Sequence, residues 1–293
     1  MKNIELRING NCNFECSYCV MNRGYSYNFN DIKKTLRHLE VLMNVCDEKF
    51  DIYLMGGEPT IHPKIVEISR IIKTLRGITY YALQTNLSLT SKKLYELLPL
   101  VDSFMVSFHP TELEKKGLVD TFFKNLEILI KQKKTIGNFD IMFEGEINEK
   151  YSSQLSSFIE KSRRSELIYS YMYRRNDFKP QFSKTIRKYS FPELKLFNIS
   201  TNELFELNPS FRGFTCNAGV TGFSLEGDGK VFRCASHLTK FLRPELDIHP
   251  DNVPYIDISD FKSMLKMMRN KFICPFNMCS GCFDYERYKL DTL

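Results

Sequence analysis

From Ile4 to Tyr173, short apolar runs alternate with amphipathic stretches, and this alternation leaves few architectures open to the chain. Ile4–Asn9, Phe50–Met55, Ile78–Thr85, Asp102–Phe108, Phe139–Ile147 and Glu166–Tyr173 read as six strands. Between them Asp31–Cys46, Pro63–Leu75, Ser91–Leu98, Leu118–Lys134 and Ser153–Arg163 carry helical periodicity, with Asn30 and Thr90 as N-caps. Strand–helix repeats of this length predict parallel βαβ units and an α/β fold. Right-handed crossovers would curl six such units into an open, partial (β/α)6 barrel, with its chemistry at the carboxyl ends of the strands.

The first strand runs straight into Cys12-Asn-Phe-Glu-Cys16-Ser-Tyr18-Cys19. Three thiolates at this spacing can hold three irons of a cubane cluster and leave the fourth iron open to a substrate or cofactor. Zinc is the competing reading, but zinc sites usually show paired CxxC knuckles or added histidines, and nothing near Cys12 supplies a fourth ligand. At the end of the second strand stands Gly56-Gly57-Glu58-Pro59-Thr60. Two glycines permit close approach to the backbone, and Glu58 with exposed carbonyls forms an acceptor set suited to an ammonium group. An ordinary strand-to-helix turn would look the same in isolation.

Composition excludes several classes. With 293 residues, 43% of them apolar, the chain can bury a large domain, or a large and a small one. No run is long and apolar enough to span a bilayer, and the amino terminus lacks the apolar core of a signal peptide, so a cytoplasmic location is expected. Nine unevenly spaced cysteines suit metals or redox work in a reducing compartment. The net charge of +6 comes from short, scattered basic runs with no basic, aromatic-interleaved stripe, so no nucleic-acid partner is expected. A mildly basic face would suit an acidic electron carrier.

Beyond the sixth strand the pattern weakens over 176–212, a connector, and changes at 213–293. Gly222–Leu225 and Lys230–Arg233 flank a glycine turn and read as a β-hairpin. Ser259–Asn270 reads as a helix that starts near Asp257 or Ser259. Cys216 and Cys234 bracket the hairpin, and Cys279 and Cys282 form a CxxC, which together make a four-thiolate shell; a zinc ribbon-like site is the alternative. Cys274 is one thiol too many for that shell and reads as a spare core thiol, a substitute ligand or a proton donor, the first being the commoner fate of such a residue; Cys46 reads as a core thiol.

Cys12, Cys16, Cys19, the aromatic Tyr18 before the last cysteine, and the GGEP turn together resemble the radical S-adenosylmethionine enzymes over roughly residues 4–175. The resemblance implies that the three cysteines hold a reducing [4Fe–4S] cluster whose open iron binds S-adenosylmethionine. It places Tyr18 near the adenine, Gly56, Gly57 and Glu58 at the methionyl ammonium, and Thr85, Asn86 and Ser107 in the cofactor pocket. Many relatives continue from that serine with leucine–aspartate, where this chain has Phe108-His109-Pro110. The C-terminal cysteines resemble the Twitch module, the shorter relative of SPASM, which holds one auxiliary [4Fe–4S] cluster on a hairpin and helix.

The candidate substrate residues are His109, Glu144 and Arg174. His109 could be an acid or base, Glu144 (with Glu146) would share one face of the fifth strand, and Arg174 (with Arg175) would close the sixth strand and bind an anion. The resulting expectation is a radical oxidoreductase that takes hydrogen from a small polar molecule such as a sugar, cyclitol or nucleotide. Its auxiliary cluster would accept an electron, and a flavodoxin- or ferredoxin-like donor would supply one. The alternative enzyme matures a ribosomally made peptide; a cluster loop that begins at residue 12 leaves no room ahead of it for a peptide-recognition module. The alternative of another class is a non-catalytic metal-binding scaffold, in which the GGEP turn and Ser107 would have no task.

Overall fold

The computed structural model of the chain describes residues 2–16, 19, 24–143, 150–164, 171–175, 215–234 and 254–273. In chain order the elements begin β1 (Lys2–Arg7), α1 (Phe29–Cys46), β2 (Phe50–Met55), a 3-10 turn (Pro59–Ile61), α2 (Ile65–Thr74), β3 (Ile78–Thr85) and α3 (Ser91–Leu97). They continue with β4 (Ser103–Phe108), α4 (Pro110–Lys115), α5 (Val119–Lys131), β5 (Thr135–Phe143), α6 (Ser152–Arg164) and β6 (Tyr171–Arg175). The last are β7 (Thr215–Cys216), β8 (Gly222–Glu226), β9 (Lys230–Phe232), β10 (Ile256–Asp257), α7 (Phe261–Arg269) and β11 (Phe272–Ile273). The fold is α/β with a mostly parallel central sheet, as the strand–helix alternation predicts.

Two compact units divide the chain, the first made of Met1–Cys12, Val20–Tyr81 and Leu207–Leu293, the second of Asn13–Cys19 and Ala82–Glu206. In the first unit β1 pairs in parallel with β2 from Lys2↔Phe50 to Arg7↔Met55. On its other edge β1 pairs in parallel with β8 from Asn3↔Gly222 to Arg7↔Glu226. β8 and β9 form the expected antiparallel hairpin, and β10 follows on the outer edge of β9. The strand between two partners is a near-continuous apolar run in β2, as parallel strands buried on both faces require. Ile4, Leu6, Ile52, Leu54, Leu36, Leu39 and Leu225 are fully buried, each worth about 1.5–3 kcal/mol. The Phe50 and Phe223 rings meet edge to face at 6.2 Å and join the hairpin to that core.

α1 starts two residues before the expected Asp31. The side chain of Asn28, not Asn30, accepts the Asp31 N–H and caps the helix. α2 begins at Ile65, because Pro59–Ile61 forms a separate 3-10 turn before it.

In the second unit the carboxyl half of β3 pairs in parallel with β4, β4 with β5, and β5 with β6. Phe108, Phe122, Phe123 and Tyr151 pack their rings at 5.0–6.1 Å beneath the end of β4. α5 ends at Lys131, short of the expected Lys134. The left-handed Lys133 (φ 50) turns the chain, and Lys134 N–H bonds back to Leu129 O at 2.8 Å. β5 therefore starts at Thr135, four residues before the expected Phe139. β6 ends with Arg174 and Arg175, and Arg174 lies opposite Met142 of β5. The short helix α4 was not anticipated; Pro110 at its first position and Glu112 in its first turn suit a helix start.

Candidate functional site

The loop after β1 carries Cys12, Cys16 and Cys19, three half-buried cysteines. Its first part belongs to the first unit and lies against the GGEP turn. Gly57 N–H donates to Asn9 O and Glu58 N–H to Asn11 O, both at 2.9 Å. The Asn9 side chain donates to Asn11 O and Glu58 O and locks the same contact from within. A Cβ on Gly56 would stand 2.2 Å from Asn9 O, and one on Gly57 2.1 Å from Asn11 O. What presses on these glycines is the cysteine loop's own backbone, so the sequence reading of a ligand approach finds a second, internal cause. Glu58 is 2% exposed, and its carboxylate caps the 3-10 turn by accepting Thr60 N–H at 3.1 Å and Thr60 Oγ1–H at 2.5 Å.

The second part of the loop belongs to the second unit, where it is fastened to the ends of β3 and β4. Asn86 donates to Asn13 Oδ1 at 3.0 Å, and Asn13 donates to Ser88 Oγ at 2.8 Å. Thr85 Oγ1 accepts Leu87 N–H, and Asn86 Oδ1 accepts Ser88 N–H, each at 3.0 Å. The predicted cofactor-pocket pair thus shapes the turn that holds the loop. Ser107 is buried in β4 beside Asp140 of β5. α4 takes hold of the loop twice. Glu112 accepts Glu15 N–H at 2.7 Å, and Lys115 pairs with the Glu15 carboxylate at 3.0 Å. Before the helix, His109 sets its ring edge-on to Phe14 and its Nδ1 3.6 Å from Cys16 Sγ.

The donor set suits an iron–sulfur cluster by its chemistry: soft thiols on one short loop. Among the described residues no three or more His, Cys, Asp or Glu side chains converge on a common metal position. Tyr18 and Glu144 lie outside the described residues, as does the side chain of Arg174.

At the C-terminal end, Cys216 in β7 pairs with Phe272 of β11, and Cys234 follows β9; both thiols are buried. Arg233 donates to Ala218 O and Asn270 O and stacks on Phe272 at 4.8 Å; burial pulls its guanidinium below the usual value, against the opposing charge of the Cys216 and Cys234 sulfurs. Cys274, Cys279 and Cys282 lie outside the described residues.

Sequence reasoning missed a buried polar group on the facing ends of β1 and β8. Arg7 pairs with Glu5 at 3.1 Å, Ser224 donates to Glu5 at 2.9 Å, and Tyr27 donates to Glu226 at 2.9 Å. Burial pushes the Glu226 carboxyl up to about 7, and burial with the Glu226 charge raises the phenols of Tyr25 and Tyr27. The signal was present as two polar i, i+2 pairs, Glu5/Arg7 and Ser224/Glu226, each sharing one face of a strand.

A parallel α/β sheet with a three-thiol loop after its first strand defines a class that builds its chemistry on a metal cofactor at the strand ends. Residues 6–150 match the Radical SAM superfamily, so the chain carries a radical SAM domain. A probable GTP 3',8-cyclase from Saccharolobus islandicus is 29% identical over 170 residues, which cover 56% of this chain and 53% of the relative. The chain thus spans about half the length of the curated relatives it matches. The fold is similar to that of Streptococcus suis SuiB bound to precursor peptide SuiA (14% identity, TM-score 0.61, 92% of this chain and 64% of that one). It is also similar to anSMEcpe with bound AdoMet and a Cp18Cys peptide (16% identity, TM-score 0.56, 92% and 80%). Among the described residues no helix is long and apolar enough to cross a membrane.

Proposed function

We propose that this chain is a radical S-adenosylmethionine enzyme that removes hydrogen from a small polar substrate in a reducing, cytoplasmic setting. The reading rests on one observation: the Cys12–Cys19 loop is separately fastened by the GGEP turn in one unit and by Asn86 and α4 in the other. A loop held at this many points is pre-organised for a rigid cofactor. Cys12, Cys16 and Cys19 would hold the [4Fe–4S] cluster, and Tyr18, Gly56, Gly57, Glu58, Thr85, Asn86 and Ser107 would line the S-adenosylmethionine pocket. When bound, the reduced cluster supplies the electron that splits S-adenosylmethionine into methionine and a 5′-deoxyadenosyl radical able to take a substrate hydrogen atom. The partial barrel and a Twitch-like module at 213–293 complete the reading, with Cys216, Cys234, Cys279 and Cys282 as ligands of an auxiliary, electron-accepting [4Fe–4S] cluster. Glu144 and Arg174 stay in it as substrate contacts, and the net charge of +6 suits an acidic flavodoxin- or ferredoxin-like donor.

The chain's own residues supply position and shelter. The two glycines let the loop lie on β2, and Asn9 and Asn86 fix its two halves. The named activity of the Saccharolobus islandicus relative makes a purine nucleotide the first substrate to try. A second reading, maturation of a ribosomally made peptide, is supported by the fold shared with SuiB, whose structure holds a precursor peptide.

Anaerobic reconstitution tests the proposal. The wild-type protein should bind about eight irons, four per cluster, and release 5′-deoxyadenosine under strong reductant. Alanine at Cys12, Cys16 or Cys19 should abolish cleavage. Zinc in place of iron, or cleavage that survives those substitutions, would refute it. Faster cleavage with nucleotides than with short peptides would favour the first reading, and the reverse order the second.

A further inference from the structure

We propose that His109 is a positioning residue for Cys16, donating its Nδ1 hydrogen to the Cys16 sulfur and thereby setting how readily the bound cluster accepts an electron. The inference rests on reading Cys12, Cys16 and Cys19 as cluster ligands.

The geometry carries it. His109 Nδ1 lies 3.6 Å from Cys16 Sγ, a distance suited to a hydrogen bond to sulfur, across 93 residues of sequence. The ring is not loosely placed. Pro110 keeps His109 out of the helical region (φ −118, ψ 84), and Leu113 N–H donates to its carbonyl at 3.0 Å. Phe14, 1% exposed, packs edge-on against the imidazole with centroids 5.8 Å apart. Glu112 and Lys115, on the helix that His109 opens, bind the peptide and carboxylate of Glu15. Phe14, Glu15 and Cys16 are thus each engaged by His109 or α4, so the imidazole and the sulfur are brought to each other from both sides.

Chemistry then fixes the direction of the bond. A free thiol can donate its own hydrogen to the imidazole. A thiolate bound to iron has no hydrogen to give, so the contact survives only if the ring carries its proton on Nδ1. Ligand binding therefore selects that tautomer. An N–H aimed at a thiolate favours the more negative, reduced state of the cluster over the oxidised one, and hydrogen bonds to sulfur are among the levers that set cluster potential.

The test uses the full chain with its clusters, as wild type, His109→Phe and His109→Gln. Phe keeps a ring for Phe14 and loses the donor, whereas Gln keeps an N–H donor. The wild type must first show a reduced [4Fe–4S] signal; without one the cluster reading fails before this inference is reached. Given that signal, EPR-monitored redox titration should place the Phe variant at a more negative midpoint than wild type, with Gln nearer to wild type. Equal midpoints at equal iron content would overturn the proposal. A second measurement needs no variant. In wild type grown on 15N-histidine, pulsed EPR of the reduced cluster should show a weak nitrogen coupling. No coupling would overturn the proposal, and so would a strong one, which would make His109 an iron ligand.

Discussion

Glu226 ties the stability of the first unit to pH. Burial raises its carboxyl from the ordinary 4.5 to about 7, against the opposing pull of Arg7 and the Tyr27 hydrogen bond. A carboxyl that holds its proton more tightly when folded favours the native state fully below its unfolded value. That contribution is lost as pH rises through the folded value. Between pH 4.5 and about 7, the loss is about 3 kcal/mol, since one unit is worth about 1.4 kcal/mol. Glu226→Gln mimics the protonated form at every pH. It should match wild type in unfolding experiments at about pH 4 and exceed it in stability at about pH 8. A wild-type stability curve no steeper than the variant's across this window would show that Glu226 ionises without cost.

At the scale of elements, one amide joins the turn after β3 to α5. Asn125, fully buried, donates to Leu87 O at 3.0 Å and Leu89 O at 2.7 Å, while Ser91 donates to its Oδ1 at 3.1 Å. Leu87 sits at φ 52, a strained choice for a leucine that the two bonds on either side of Ser88 hold in place. Asn125→Leu keeps the volume and strands those groups, so it should cost about 2–4 kcal/mol in denaturant unfolding. It should also speed amide exchange in the Asn86–Leu89 turn; unchanged exchange would mean the turn holds itself. The sequence made β2, β3 and the Thr90 cap legible to the residue, because each is decided by local alternation or by one side chain meeting a nearby amide. It hid α4, whose six residues are too few to show a period. The cysteine loop was visible as a spacing, Cys12, Cys16 and Cys19 directly after the first strand. The contacts that hold that loop were not, since Asn13–Asn86, Glu15–Glu112 and Cys16–His109 join residues 73 to 97 apart. No local pattern encodes such pairs.

Across the whole molecule, the contacts of the C-terminal hairpin tie it to the chain's first strand. Leu207–Leu293 falls in the same compact unit as Met1–Cys12. β8 supplies the second parallel partner of β1 over Asn3–Arg7, Phe223 meets Phe50, and Lys2 Nζ donates to Val220 O. Tyr27, at the exit of the cysteine loop, bonds Glu226, and Thr35 of α1 bonds Gly227 O at 3.0 Å. A parallel pairing between strands more than two hundred residues apart closes late in folding and leaves β1 with an open edge until it does. A chain ended at residue 206 would keep β1 to β6 and the helices between them and still lack the partner of β1, the cover over Phe50 and the anchor of Tyr27. That truncation should therefore aggregate or show no cooperative thermal transition, with or without iron, while the full chain unfolds cooperatively. A soluble 1–206 fragment that binds about four irons and melts near the full chain would show instead that the repeats stand alone and that the hairpin merely leans on them.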